Sequence, residues 1–238
     1  MSAGETALVV GIGPGLGASL ARRFAAEGLH VVLAARQQAH LDEVLAAIKA
    51  KGGSAEGVVT DSTDEAQIER LYGVIDKRQR PLALAVYNAG AFMRTSILDA
   101  TAADFERCWR VGCLGGFLVG RAAGKRMAEQ GRGTLIFTGA TASWRGSAQF
   151  FNLAVGKFGL RALAESMARE LQPKGVHVAH VVIDGQIMSA RYANLAKERP
   201  ADGLLDPDAI ADTYWHLHTQ HRSAWTLELE VRPWVEKF

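Results

Sequence analysis

The sequence predicts a single α/β domain with a doubly wound, mainly parallel seven-stranded sheet flanked by helices on both faces. Seven short apolar runs recur along the chain, helix-like stretches separate most of them, and a glycine-rich turn follows the first run. Parallel strands joined this way need right-handed crossovers, and ligands then bind at the carboxyl ends of the strands. A length of 238 residues suits one such domain, and 48% hydrophobic residues fill a large core, so residues 1–238 are read as one unit.

Ala7 to Val10 is the first strand-like run, and Gly11-Ile12-Gly13-Pro14-Gly15-Leu16-Gly17 is the turn after it. Leu16, Leu20 and Phe24 then recur at helical spacing until Gly28. Strand, glycine turn and helix in this order make a phosphate site, because a backbone without side chains can approach a pyrophosphate at the positive end of a helix. Gly11, Gly13, Gly15, Leu16 and Gly17 are the residues expected there. His30 to Ala34 is the second run and leads into Ala35-Arg36. Gly57 to Thr60, Leu82 to Val86, Thr134 to Thr138, Val176 to Ile183 and Thr226 to Val231 complete the strands.

Two long helical segments, Ala102 to Glu129 and Asn152 to Gln172, are rich in small residues that allow close helix approach, among them Gly112, Gly115, Gly116 and Gly120. The glycine turn, Asn88, Thr138 and Asp184 all fall at strand ends. The polar segment from Met188 to Leu205 reads either as a substrate lid or as an irregular surface excursion. The tail from Trp225 to Trp234 alternates apolar and polar residues as an edge strand does, and Trp234 and Phe238 are expected to pack on protein rather than on a ligand.

The 27 basic and 25 acidic side chains are scattered and leave a net charge of +2, with no basic block, so nucleic acid is not an expected partner. No basic region precedes the first apolar run, which is too short for a secretory core or a membrane span; a cytoplasmic location without membrane contact is expected. Cys108 and Cys113 share one predicted helix at a spacing of five, which gives neither a metal pattern nor a disulfide framework, and they read as small buried hydrophobes.

The outer glycines have the spacing Gly-x-x-x-Gly-x-Gly, with Gly13 as an extra, and four further stretches appear in order: Asp61-Ser62-Thr63-Asp64, Asn88-Ala89-Gly90, Lys157, and Asp184-Gly185-Gln186-Ile187. In these features the chain resembles the short-chain dehydrogenase/reductase family over nearly its whole length. The resemblance implies a Rossmann-type fold that binds NAD(P). Asp61 and Ser62 would then face adenine, Asn88, Ala89 and Gly90 would support the site from the sheet, Lys157 would hold the ribose, and Ile187 would lie beside the nicotinamide. It also implies a homodimer or homotetramer through the long helices, although packing on the chain's own sheet accounts for them equally.

An acid that would grip a ribose 2′-hydroxyl is replaced by Ala35, followed by Arg36. A guanidinium can pair with a 2′-phosphate, so NADP is favoured and NAD remains possible. The family's proton-donating tyrosine, one helical turn before its lysine, is here Leu153. Its serine falls on Ala140, with Thr141 one residue away, and its relay asparagine on Gly112.

Lys157 can hold ribose hydroxyls without a tyrosine or act as a proton donor itself. Phe92, Met93, Trp144, Phe150, Phe151, Leu153 and Met188 are expected either to line a pocket for an apolar small molecule or to fill the core around the cofactor. Arg94 and Arg145 either meet a carboxylate or lie at the surface. Three functions follow: an oxidoreductase with an altered site acting on a small carbonyl or hydroxyl compound, a cofactor-binding pseudoenzyme that senses or supports another protein, and an oligomeric scaffold with a vestigial site.

Overall fold

The computed structural model describes residues 4–237, so Phe238 lies outside the described residues. Seven strands form one sheet: β1 (Thr6–Val10), β2 (His30–Ala35), β3 (Ser54–Val59), β4 (Leu82–Tyr87), β5 (Gly133–Thr138), β6 (Val176–Ile183) and β7 (Glu228–Val231). Their order is β3-β2-β1-β4-β5-β6-β7, and every neighbouring pair is parallel, so the sheet is wholly rather than mainly parallel.

Helices cover both faces. Helices α1 (Leu16–Ala26), α2 (Gln38–Ala50) and α8 (Pro207–Thr219) pack with Ala7, Val9, Val31 and Leu33 on one face. Helices α3 (Glu65–Lys77), α5 (Gly115–Gln130) and α6 (Phe151–Leu171) pack with Leu8, Val10, Val32 and Ala34 on the other. The period of two along each strand sends alternate side chains to opposite layers, and because both layers are covered the strands read as continuous apolar runs. Local signals set the helix ends. Asp64 accepts from Gln67 N at 3.1 Å to cap α3, Asp206 accepts from Asp208 N at 2.8 Å with Pro207 in the first turn of α8, and Gly28 follows α1 at a φ of 87°.

Two segments carry structure that the sequence did not define. The stretch expected as one helix over Ala102 to Glu129 is α4 (Ala102–Trp109), a π turn over Arg110–Leu114, and then α5. The π turn inserts an extra residue into the helical ladder where Gly112 meets α6. The segment from Met188 to Leu205, read as a lid or an irregular excursion, is partly helical. It holds a short 3-10 turn at Ala190–Tyr192 and helix α7 (Ala193–Glu198). A bridge between Ile187 and Leu205 closes its base, and Arg199 folds back onto the Gly203 carbonyl at 2.9 Å. Trp234 is largely exposed and donates through Nε1 to the Ala201 carbonyl at 3.2 Å, which ties the tail to this segment.

Candidate active site

The strand order reverses between β1 and β4, and this is where the sheet leaves a crevice at its carboxyl edge. A cleft of about 280 Å³ opens there, lined by Gly11, Ile12 and Gly13 after β1, Ala35 at the end of β2 with Arg36 after it, Asp61 and Ser62 after β3, and Asn88 to Gly90 after β4. The sequence-derived residues Gly11, Gly13, Arg36, Asp61, Ser62, Asn88, Ala89 and Gly90 therefore meet in one place. His40, on the first turns of α2, and Val111, in the π turn, also line the cleft and were not singled out from the sequence. For His40 the available signal was its position four residues after Arg36.

The four glycines of the turn do different jobs. Gly11 has a φ of 100°, and a Cβ there would fall 2.5 Å from Ala89 N, so β1 and β4 come together only over a bare backbone. Asn88 locks the same crossing, donating Nδ2 to the Gly11 carbonyl at 3.1 Å while its backbone N donates to Val10 O at 2.8 Å. A Cβ on Gly17 would fall 2.5 Å from Gly11 O, which sets the close approach of α1 to the strand, and Leu16 is buried in the core beside it.

Gly13 and Gly15 are different, because no described atom lies within 4 Å of where their Cβ atoms would be. That space lies at the amino end of α1, where the first N–H groups of a helix have no intrahelical partner. A pyrophosphate fits this cradle on both counts, bare backbone and positive helix end.

Asp61 accepts from Thr63 N and Thr63 Oγ1, both at 2.9 Å, which shapes the turn into α3. Ser62 is buried with its hydroxyl 3.2 Å from Tyr87 OH, so its side chain supports the wall of the cleft. Arg36 is exposed at the rim.

Lys157, on α6, is buried, and its Nζ donates to the Thr138 carbonyl at 2.6 Å. A Cβ on Gly90 would lie 3.8 Å from Nζ, so the amine faces the floor of the cleft next to the end of β4. Burial pushes its pKa down to about 8. Ile187 is half-buried where the 184–187 loop leaves β6 and is fixed by its bridge to Leu205.

Leu153 lies one turn before Lys157 and is half-buried, as is Ala140 after β5. Neither side chain carries an exchangeable proton. Thr141 does not take the serine's place freely, because its hydroxyl donates to Asp184 Oδ1, and Asp184 is buried against Arg232 Nη2 at 3.0 Å.

The expected apolar pocket is not one pocket. Phe92 stacks on Phe150 with centroids 4.7 Å apart, and the Arg94 guanidinium lies 5.9 Å from the Phe150 centroid while bonding Gln149. Phe151 turns away to stack on Phe105, Met93 gives its carbonyl to Asn152 Nδ2 at 2.7 Å, Trp144 Nε1 bonds Glu228, and Met188 is exposed on the 188–205 segment. These residues sit on four separate segments and make separate contacts, so spacing along the chain did not bring them together. Arg145 is exposed.

Fold and cleft define a nucleotide-binding α/β protein with its site at the topological switch point. A family model of short chain dehydrogenases matches residues 5–198, and the chain belongs to that family. A short-chain dehydrogenase/reductase of Armillaria gallica is 35% identical over 181 residues, covering 75% of this chain and 69% of that protein. The crystal structure of a short-chain dehydrogenase from Rhodopseudomonas palustris superposes with a TM-score of 0.85 at 38% identity, over 97% of this chain and 99% of the other. A metagenomic short-chain oxidoreductase solved in complex with NADP also gives a TM-score of 0.85, at 29% identity over 97% and 98% of the two chains.

Among the described residues no helix is long and apolar enough to cross a membrane, and no cluster of His, Cys, Asp and Glu is placed to hold a metal ion.

Proposed function

We propose that the chain is an NADP(H)-binding oxidoreductase acting on a small carbonyl or hydroxyl compound through a site without the usual tyrosine, serine and asparagine. The observation that carries this reading is the pairing of an open glycine cradle at Gly13 and Gly15 with a buried amine, Lys157, aimed at Gly90. Gly11 to Gly17 would hold the pyrophosphate, Asp61 and Ser62 would border the adenine, and Asn88 to Gly90 would form the floor. Arg36 at the rim offers a planar fork to a 2′-phosphate, and a relative solved with NADP supports the same choice. When bound, the nicotinamide supplies or accepts the hydride.

The remaining residues act by placement. Lys157 holds ribose hydroxyls, and its lowered pKa also leaves it able to hand a proton to an adjacent oxygen near neutral pH. Leu153, one turn before Lys157, presents an apolar side chain where the substrate carbonyl would sit, which favours an apolar small molecule. Phe117, Val155 and Phe158 are 40%, 42% and 43% exposed on the outer faces of α5 and α6, which supports a homodimer or homotetramer through those helices.

A second reading, a cofactor-binding pseudoenzyme, is favoured by Leu153, Ala140 and Gly112 together. The double variant Leu153→Tyr with Ala140→Ser separates the two. A rise in NADPH-dependent reduction of simple carbonyls from an undetectable rate supports the pseudoenzyme, whereas a fall from a measurable native rate shows that the apolar site is itself used.

A further inference from the structure

Beneath the turn that follows β5 lies a buried polar chain with no contact to the cleft. Ser143 and His180 are 0% and 1% exposed, and Glu228 opens the edge strand. His180 Nδ1 stands 2.8 Å from Glu228 Oε2, and its Nε2 stands 3.4 Å from Ser143 Oγ. Glu228 also takes two hydrogen bonds from Arg161 of α6, at 2.7 and 3.0 Å, and one from Trp144 Nε1 at 3.2 Å.

The protons have one consistent arrangement. Burial pushes the Glu228 carboxyl up, but hydrogen bonds from Arg161, His180 and Trp144 outweigh it and hold the group below its ordinary value, so it is ionised. An ionised carboxylate only accepts, which puts the imidazole proton on Nδ1. Nε2 then accepts from the Ser143 hydroxyl, and Ser143 Oγ accepts from Ala140 N at 3.1 Å. Burial, and the charges of Lys157 and Arg161, hold the imidazole below its ordinary value against the pull of Glu228 and keep it neutral.

Serine, histidine and carboxylate in this order also make a nucleophilic triad. Here the hydroxyl is fully enclosed, so no acyl group reaches it, and what the chain acts on is backbone. A Cβ on residue 139 would collide with His180 Nε2 and lie 2.9 Å from Ser143 Oγ, so the imidazole presses on the peptide at Gly139. One residue earlier stands Thr138, whose carbonyl receives Lys157 Nζ.

We propose that His180, anchored by Glu228 and Ser143, is a positioning residue of the nucleotide site: it fixes the turn after β5 so that the Thr138 carbonyl holds Lys157 against Gly90. The role rests on the nucleotide-binding reading above and acts through Lys157 alone. The adenosine half of the cleft, with Arg36 and Asp61, hangs on β2 and β3 and is independent of it.

Ser143→Ala leaves both Ala140 N–H and His180 Nε2 without their partner at almost unchanged volume. Titrations with NADPH and with 2′,5′-ADP, which reports the adenosine half only, read the effect. NADPH affinity should fall by about tenfold and 2′,5′-ADP affinity should hold. Lys157→Met should give the same pattern, and the double variant should bind NADPH no more weakly than Lys157→Met alone.

If Ser143→Ala does not fold, Glu228→Gln, which keeps an acceptor for Nδ1, carries the same comparison with a smaller loss. An unchanged NADPH affinity, an equal loss for both ligands, or additive losses in the double variant overturns the positioning role while leaving nucleotide binding standing. Wild-type protein that binds neither ligand overturns the nucleotide reading and this role with it.

Discussion

Gly112 and Gly156 meet backbone to backbone: a Cβ on Gly112 would lie 3.1 Å from Gly156 Cα, and one on Gly156 would lie 3.2 Å from Gly112 Cα. Gly112 lies in the π turn over Arg110–Leu114 and Gly156 in α6. The place where the family resemblance would put a relay asparagine is thus closed by the neighbouring helix, and α6 carries Lys157 one residue after the contact.

Gly112→Asn is therefore expected to destabilise the fold rather than restore a relay. Forcing a side chain into this contact costs about 1–3 kcal/mol, only partly offset by better helix propensity. Denaturant unfolding checks the sign. A stable variant with raised reductase activity would show that the helices part easily and that the missing asparagine is all the site lacks.

The buried Lys157 gives a pH signature. Its folded pKa of about 8 lies below its ordinary value of 10.5, so over that window the unfolded chain binds more protons and stability rises with pH. The cost of charging the buried amine is fully present below about pH 8 and amounts to on the order of 3 kcal/mol. The wild type compared with Lys157→Met isolates it by thermal melts between pH 7 and about 10.5. NADPH affinity should move oppositely, weakening above about pH 8 as the ammonium is lost, and Lys157→Met should show no such step.

Phe158→Asp places a charge on the exposed apolar face of α6. Sedimentation velocity is expected to show a homo-oligomer for the wild type and a monomer for the variant. A wild type that sediments as a monomer would leave that face without the assigned partner.

The sheet was legible because both of its faces are covered, which makes β1, β2, β4, β5 and β6 buried and mostly apolar runs. The start of β3 at Ser54 was missed, since an edge strand with Glu56 half-buried carries a weaker pattern. The π turn left no compositional mark, because it is a shift in hydrogen bonding, although Gly112 signalled the close approach.

Within the site, residues that follow strand ends were readable, as Gly11, Asn88 and Asp61 show. Contacts made across the sheet were not. His180 and Glu228 are 48 residues apart, and a histidine inside an apolar run reads simply as part of a strand. The dispersal of Trp144, Phe151 and Met188 was hidden for the same reason.

The central claim is that the cleft holds NADP(H) through the glycine cradle and Arg36. Fluorescence titration of the purified protein with NADPH and NADH, repeated on Arg36→Ser, tests it most directly. Micromolar NADPH binding, clearly tighter than NADH and reduced to the NADH level by the substitution, is the expected result. Binding of neither nucleotide would contradict the claim, and equal binding of both, unaffected at Arg36, would contradict the assigned preference.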